Sequence, residues 1–179
     1  MNLKEKYQKE TREFLKKEFG FTNLMAVPKV VKVTVNIGIG KAKDDPKMIE
    51  TAENTIKRIT GQQPVYTKSK KSISAFKVRE GMKVGLKVTL RGDRKWDFLE
   101  KLVRVSFPRT RDFRGISPKI VDKQGNLNIG FKEHIVFPEI KSDEIEKIHG
   151  LEVAITTTAG DYAKGLSLFK HLGFPFQEK

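Results

Sequence analysis

Two segments alternate apolar and polar residues with period two. In the first, Val31, Val33, Val35 and Ile37 are separated by Lys32, Thr34 and Asn36. In the second, Val84, Leu86, Val88 and Leu90 alternate with Lys83, Gly85, Lys87, Thr89 and Arg91. This spacing predicts strands with one buried and one polar face. Shorter strands are predicted at 65–67, at 127–131 after the Gln124-Gly125-Asn126 turn, and at 151–155; Ile73 to Val78 is a further candidate before the turn Arg79-Glu80-Gly81. Helical spacing appears at 3–19 (Leu3, Tyr7, Phe14, Leu15), 46–60 (Ile49, Ala52, Ile56, Ile59), 93–106 (Trp96, Leu99, Leu102, Val103) and in a last helix carrying Leu166, Phe169 and Leu172. Asp44 and Asp45 before Pro46 supply a cap and first-turn proline, Asp93 a second cap, and Gly61 and Gly173 the stops.

Helices do not alternate regularly with strands, and several strands keep one polar face. The expected class is α+β: a largely antiparallel sheet with helices packed on one face and a polar, basic open face. With no internal repeat or low-complexity linker, residues 1–179 are expected to form a single domain with a basic protruding loop at about 68–83. The open face carries Lys32, Thr34, Asn36, Lys83, Lys87, Thr89 and Arg91. Such a surface suits phosphates and ribose hydroxyls, and it equally describes a solvated sheet face.

Charge sharpens this picture. The chain has 36 Lys plus Arg against 22 Asp plus Glu, a formal net charge of +14, and a mean hydropathy of −0.48. Residues 68–114 hold 15 basic and 5 acidic groups, whereas 133–162 hold 2 and 7. That asymmetry predicts two partners of opposite charge, the main one a polyanion. Cysteine is absent, which excludes disulfides, thiolate metal sites and cysteine nucleophiles. No apolar run approaches the ~20 residues a bilayer span needs, and the charged start Met1-Asn2-Leu3-Lys4-Glu5-Lys6 has no signal-like apolar core. A cytoplasmic location is expected.

Catalytic chemistry is not indicated. Gly38-Ile39-Gly40 follows a strand, but Lys43 stands where a dinucleotide fingerprint needs its third glycine. His134, His149 and His171 share no ligand spacing and read as surface or half-buried residues. Ser72, Ser74 and Ser106 have no identifiable base. Asp143, Glu144 and Glu146 suit a helix start. Two segments instead look built for nucleic acid. Lys68 to Gly81 interleaves Lys70, Lys71, Lys77 and Arg79 with Ser72 and the ring of Phe76, which is placed either to stack on a base or to join the core. Arg109, Arg111 and Arg114 offer bidentate phosphate contacts, unless Asp112 holds one of them.

Val35-Asn36-Ile37-Gly38-Ile39-Gly40, Gly61-Gln62-Gln63-Pro64, Lys71-Ser72-Ile73, Phe76-Lys77-Val78-Arg79-Glu80-Gly81, Lys87-Val88-Thr89-Leu90-Arg91-Gly92, Arg111-Asp112-Phe113-Arg114-Gly115 and Phe137-Pro138-Glu139-Ile140 occur in one order. From Lys4 to Phe176 the chain resembles the family of the bacterial large-subunit ribosomal protein number five. The resemblance implies an antiparallel sheet with helices on one side. It also implies a structural, non-enzymatic role in the cytoplasmic ribosome, with no cofactor, metal, membrane or small-molecule substrate. Implied partners are 5S rRNA of the central protuberance, neighbouring large-subunit rRNA, P-site tRNA and small-subunit ribosomal protein thirteen. The family's RNA-bonding asparagine, glutamine and threonine match Asn36, Gln62 and Thr89; the charged neighbours Lys32, Lys87 and Arg91 join them as 5S rRNA candidates. The family's tRNA-reaching loop corresponds to about Lys70 to Met82, with Lys70, Lys71, Ser72, Phe76, Lys77 and Arg79 as candidates. Arg109, Arg111 and Arg114 are candidates for other rRNA. On charge, Glu133, Glu139, Asp143, Glu144 and Glu146 are candidates for the bridge to the small subunit. Three departures stand out: Gln63 and Leu127 replace the family's usual arginine and tyrosine, and Gly160-Asp161-Tyr162-Ala163-Lys164 is less acidic than the family stretch.

Overall fold

The structure is a computed structural model, and it describes residues 1–40, 45–140 and 148–177. Five strands, β1 (Val30–Gly38), β2 (Val65–Lys68), β3 (Lys83–Leu90), β4 (Leu127–Phe131) and β5 (Leu151–Thr157), form an antiparallel sheet in the order β2-β3-β1-β5-β4. Helices pack around it, which makes the fold α+β as the alternation predicts. They are α1 (3–19), α2 (Pro46–Thr60), α3 (92–109) and α4 (Tyr162–Leu172). The chain divides into two compact units: unit 1 is Met1–Val33, Leu90–Ile129 and Ala154–Lys179, and unit 2 is Thr34–Thr89 and Gly130–Val153.

Unit 1 is built on α1, α3 and α4. Four residues advance an α-helix by about 400°, so side chains spaced by four drift around its surface. A π-helical turn at Tyr7–Thr11 widens α1 and takes up that drift, and Leu3, Tyr7, Thr11 and Leu15 are all buried. The Thr11 hydroxyl donates to the Lys6 carbonyl at 3.3 Å and lies 2.9 Å from His171 Nδ1. Phe14, expected with the apolar stripe, is instead 44% exposed and stacks on the His171 ring. In α3 a second π-helical turn, Leu102–Ser106, precedes Phe107–Arg109. The helix therefore runs past its predicted end, because a widened turn already forgoes the i→i−4 bond that Pro108 lacks the N–H to make. Phe98 is buried in α3 and Val103 only half-buried; in α4 Leu168 replaces the expected Leu166. Phe107 stacks on Phe113 and meets Phe174 edge-on, and Phe174 meets Phe169 likewise. Gly125 and Gly165 touch backbone to backbone: a Cβ on Gly165 would lie 2.4 Å from Gly125 Cα.

Unit 2 buries Val35, Ile37 and Ile39 with Leu86 and Val88, the Ala52, Ile56 and Ile59 stripe of α2, and Phe131, Phe137, Leu151 and Val153. Asp45 caps α2 by accepting from Met48 N, and Gly61 closes it in the left-handed conformation at φ 64°; Asp44, the other expected cap, lies outside the described residues. At the start of β1, in unit 1, strict alternation fails. Val30 is buried and Val31 half-buried, and regular alternation begins at Val33. Ile73 to Val78 is not a strand. Those two residues form a single antiparallel bridge around the turn Ser74–Phe76, with Lys77 at φ 49°. The four residues between them, 74–77, make a tight turn ending on the left-handed Lys77, and Ile73 and Val78 exchange one pair of ladder bonds.

Candidate nucleic-acid interface

β2 lies against β3 with Val65 opposite Lys87, Tyr66 opposite Leu86 and Thr67 opposite Gly85; the register then slips, so that Lys68 pairs with Lys83. The slip puts a bulge at the foot of the basic loop, a place where bulges redirect a strand. The three strands of unit 2 nearest this edge carry several polar side chains. Thr34 and Asn36 on β1, Thr67 on β2 and Thr89 on β3 are all half-buried, and Lys87 is exposed. Gly85 lies beside two of them, Thr67 and Asn36. A Cβ there would stand 2.7 Å from Thr67 Oγ1, 3.1 Å from the Ile37 carbonyl oxygen and 3.8 Å from Asn36 Oδ1. The glycine thus keeps open a floor flanked by the Thr67 hydroxyl and the Asn36 amide. Gln62 joins from the turn after α2. Its Nε2 donates to the Thr89 carbonyl at 3.4 Å, and its backbone N–H donates to Thr60 Oγ1. Gln62 and Thr89 are therefore in direct contact, and Asn36 lies in the same unit. Lys32, half-buried, and Arg91, exposed, belong to unit 1. Half-buried amides and hydroxyls with fixed backbone are suited to reading ribose and base edges; exposed lysines supply sequence-independent attraction.

Thr67 and Gly85 were not singled out by sequence. The available signal was a glycine inside an otherwise regular strand. An adjoining network also depends on the fold. The Tyr66 hydroxyl donates to Glu53, Gln63 Nε2 donates to the other Glu53 oxygen at 2.6 Å, and Lys83 Nζ lies 3.8 Å over the Tyr66 ring. The hydrogen bond to Glu53 raises the Tyr66 pKa, with burial and the carboxylates of Glu53 and Glu50 acting the same way.

The loop between β2 and β3 has an internal frame. Ser69 N donates to the Met82 carbonyl and Gly81 N to the Ser69 carbonyl; Glu80 N donates to Ser72 Oγ. Lys70, Lys71, Ser72, Lys77 and Arg79 are exposed on it. Phe76 is 70% exposed, which decides against the core for its ring. An aromatic ring amid cations is the composition of a base-stacking platform. In unit 1, Arg109, Arg111 and Arg114 are all exposed around a turn at Asp112 (φ 51°) and Gly115 (φ 92°). Among the described residues Asp112 forms no ion pair with them.

Of the acidic candidates, Glu133 and Glu139 are half-buried in unit 2, and Asp143, Glu144 and Glu146 lie outside the described residues. Two of the three histidines differ from expectation, while His171 is half-buried. His134 and His149 are both buried, and their rings stack with centroids 4.0 Å apart. His149 N donates to His134 Nδ1 at 3.3 Å. The neighbours that bury these rings are distant in sequence, so isolated histidines gave no sign of the pair. Burial lowers the His134 pKa, against the opposing pull of its bond to the His149 backbone and of Glu133. Among the described residues no three acidic or histidine side chains are grouped to hold a metal ion, and no helix is long and apolar enough to cross a membrane.

Two family models match. Residues 23–79 fit the model described as Ribosomal protein L5, and residues 83–176 fit the model of the C-terminus of the same ribosomal protein family. The chain is 52% identical over 176 residues to the large ribosomal subunit protein uL5 of Halothermothrix orenii, covering 98% of each chain. It is 51% identical to that of Chloroflexus aggregans, covering 99% of each. To that of Colwellia psychrerythraea it is 49% identical, covering 92% of this chain and 91% of the relative.

Proposed function

The chain belongs to the L5 family of large-subunit ribosomal proteins, and on that premise we propose that it binds 5S rRNA through the polar side chains of its sheet and helps attach that RNA to the central protuberance. As a member of this family it is a structural constituent of the cytoplasmic ribosome and not an enzyme, with rRNA and other ribosomal components as its partners. The observation that carries the 5S reading is the Cβ-free floor of Gly85 in unit 2, flanked by Thr67 and Asn36; Gln62, bonded to the Thr89 carbonyl, belongs to the same unit. One Nε2 hydrogen of Gln62 is engaged with the Thr89 backbone, which leaves its Oε1 and its second N–H for a 2′-hydroxyl. Asn36 brings both a donor and an acceptor, and the Thr89 hydroxyl does the same. Lys87 of unit 2, and Lys32 and Arg91 of unit 1, add phosphate attraction.

The exposed loop carrying Lys70, Lys71, Ser72, Phe76, Lys77 and Arg79 contacts P-site tRNA in this reading. Arg109, Arg111 and Arg114 contact neighbouring large-subunit rRNA. Glu133 and Glu139, with Asp143, Glu144 and Glu146, face the basic small-subunit protein thirteen.

The test is a gel-shift titration of the full chain against 5S rRNA at two salt concentrations, with tRNA and a random duplex as competitors. Selective binding that survives the higher salt is expected. Asn36→Ala or Thr89→Ala should weaken it by roughly 1–3 kcal/mol, through a lost bond and an unpaired partner. Equal, salt-labile binding to all three RNAs would reduce the protein to a generic polyanion binder. Lys70→Ala combined with Lys71→Ala should leave 5S affinity nearly intact and weaken tRNA positioning; equal loss of both would place the loop in the 5S site.

A further inference from the structure

A cavity of about 230 Å³ in unit 1 is lined by none of the residues assigned above to RNA. Four cations border it: Lys4 and Arg12 of α1, Lys29 just before β1, and Lys95 of α3. Its floor is the tilted pair Tyr7 and Trp96, with ring centroids 5.1 Å apart. The Tyr7 hydroxyl donates to the Pro28 carbonyl at 3.0 Å, which fixes that ring. Met25, 77% exposed, stands at the rim.

The cations are held together against their mutual repulsion. Lys95 is half-buried, with Nζ 3.5 Å from the Val31 carbonyl and 5.5 Å from the Trp96 ring centre. Burial lowers its pKa, and Lys29, Arg91 and Lys4 push the same way; Asp93 opposes them. Asp93 is itself engaged with Lys4 at 2.6 Å. Arg12 is anchored through Nη2 to the Leu24 carbonyl at 3.2 Å. Half-burying an ammonium among like charges costs stability, and a bound anion would recover that cost. The cavity is smaller than the range usual for drug-sized ligands and suits a phosphate group with the edge of its sugar.

We propose that this cavity is a second anion site, in which Lys29 and Lys95, flanked by Lys4 and Arg12, take a backbone phosphate of rRNA. It gives unit 1 its own hold on RNA, separate from the amides and hydroxyls of unit 2. The rRNA part of the proposal rests on the RNA-binding reading; the phosphate chemistry does not.

The experiment uses the full chain, Lys29→Gln with Lys95→Met, and Lys95→Arg. Thermal melts verify folding, and Met retains the apolar stem of Lys95. Binding to 5S rRNA and to a large-subunit rRNA preparation is measured as a function of salt, and inorganic pyrophosphate is titrated while the lysine amines are followed by 15N NMR. For at least one RNA, the double variant should make the log–log salt slope shallower by about one, for the one phosphate no longer neutralised, while Lys95→Arg keeps the slope. Pyrophosphate should shift the amines of the unmodified chain, and the double variant should weaken that binding by roughly tenfold. Loss of the pyrophosphate response with unchanged RNA slopes would overturn the rRNA assignment and identify a free oligophosphate as the ligand. Unchanged slopes without a pyrophosphate response would overturn the site altogether. If the unmodified chain bound neither RNA, the RNA-binding reading would fall, and the pyrophosphate arm alone would decide the anion site.

Discussion

Replacing Gly85 by alanine puts one methyl group where the proposed 5S site has its floor. The added Cβ would lie 2.7 Å from Thr67 Oγ1 and 3.1 Å from the Ile37 carbonyl oxygen. The first distance is shorter than atoms tolerate, so something must move. Thr67 is β-branched and stiff at χ1, and the Ile37 carbonyl belongs to β1, so neither yields freely. Overpacking of this kind costs roughly 1–3 kcal/mol. Alanine restricts the unfolded chain and returns about 0.4–1 kcal/mol of that. The net expectation is a destabilisation of about 1–2 kcal/mol, read as a lower urea midpoint with an unchanged m-value. Gly130 provides the control. It lies on β4 with nothing within 4 Å of a built Cβ and without a positive φ, so Gly130→Ala should be neutral or slightly stabilising. Adding Thr67→Ala to Gly85→Ala removes the shorter clash and should recover part of the stability, leaving the Ile37 contact. The 5S affinity of Gly85→Ala should fall more than that of Gly130→Ala, because the displaced groups adjoin Asn36. Wild-type stability and wild-type 5S affinity for Gly85→Ala would refute the claim that this glycine keeps the floor open.

Gly165→Ala should be the more damaging glycine substitution. Its methyl would meet the Gly125 backbone at 2.4 Å, with no side chain there to rotate away, so a loss at or above the upper end of roughly 1–3 kcal/mol is expected in urea unfolding. Stability should also depend on pH through His134, whose pKa is lowered by burial. The unfolded chain then binds the proton more readily, so the stabilisation is complete above the unfolded value of about 6.5 and is lost as pH falls through the folded pKa. His171, also lowered first by burial, acts in the same direction. The melting temperature should therefore fall between about pH 7.5 and 5, and a His134→Gln chain should show a shallower fall; an identical pH profile would show that His134 does not titrate with folding.

The parts of the fold that follow from one residue's period with its neighbours could be read from the sequence. Leu86, Val88 and Leu90 of β3, Ala52, Ile56 and Ile59 of α2 and the Gly61 and Gly173 stops needed nothing beyond spacing and backbone preference, whereas Val84 and Ile49 are only half-buried. What was misread depended on wider turns or distant partners. Spacing by ideal helical turns put Phe14 inside α1, whereas the π-helical turn buries Thr11. The apolar residues Ile73, Phe76 and Val78 looked able to form a strand, but none of them is fully buried, and local turn geometry prevails. In the site, Asn36 and Thr89 stood out through alternation, and Gln62 came from family resemblance alone. Thr67 and Gly85 become partners only once β2 is set against β3, a register that no local pattern specifies.

The distribution of exposure separates two contributions to RNA binding that a single affinity would merge. Lys70, Lys71, Lys77, Lys87 and Arg79 are exposed, whereas Asn36, Gln62, Thr67 and Thr89 are half-buried and neutral. Each exposed cation that neutralises a phosphate releases a counterion, so its contribution shrinks as salt rises and is nearly blind to sequence. A neutral amide or hydroxyl releases none; its contribution survives salt and depends on the group it meets. Substituting Lys87 should therefore change the slope of log affinity against log salt and leave the preference for 5S rRNA over a random duplex almost intact. Asn36→Ala should do the reverse, lowering the preference at constant slope. If Asn36→Ala changed the slope instead, the amide would be acting by placing a nearby cation such as Lys87, and the half-buried polar groups of unit 2 would be scaffolding for charge and not the source of selectivity.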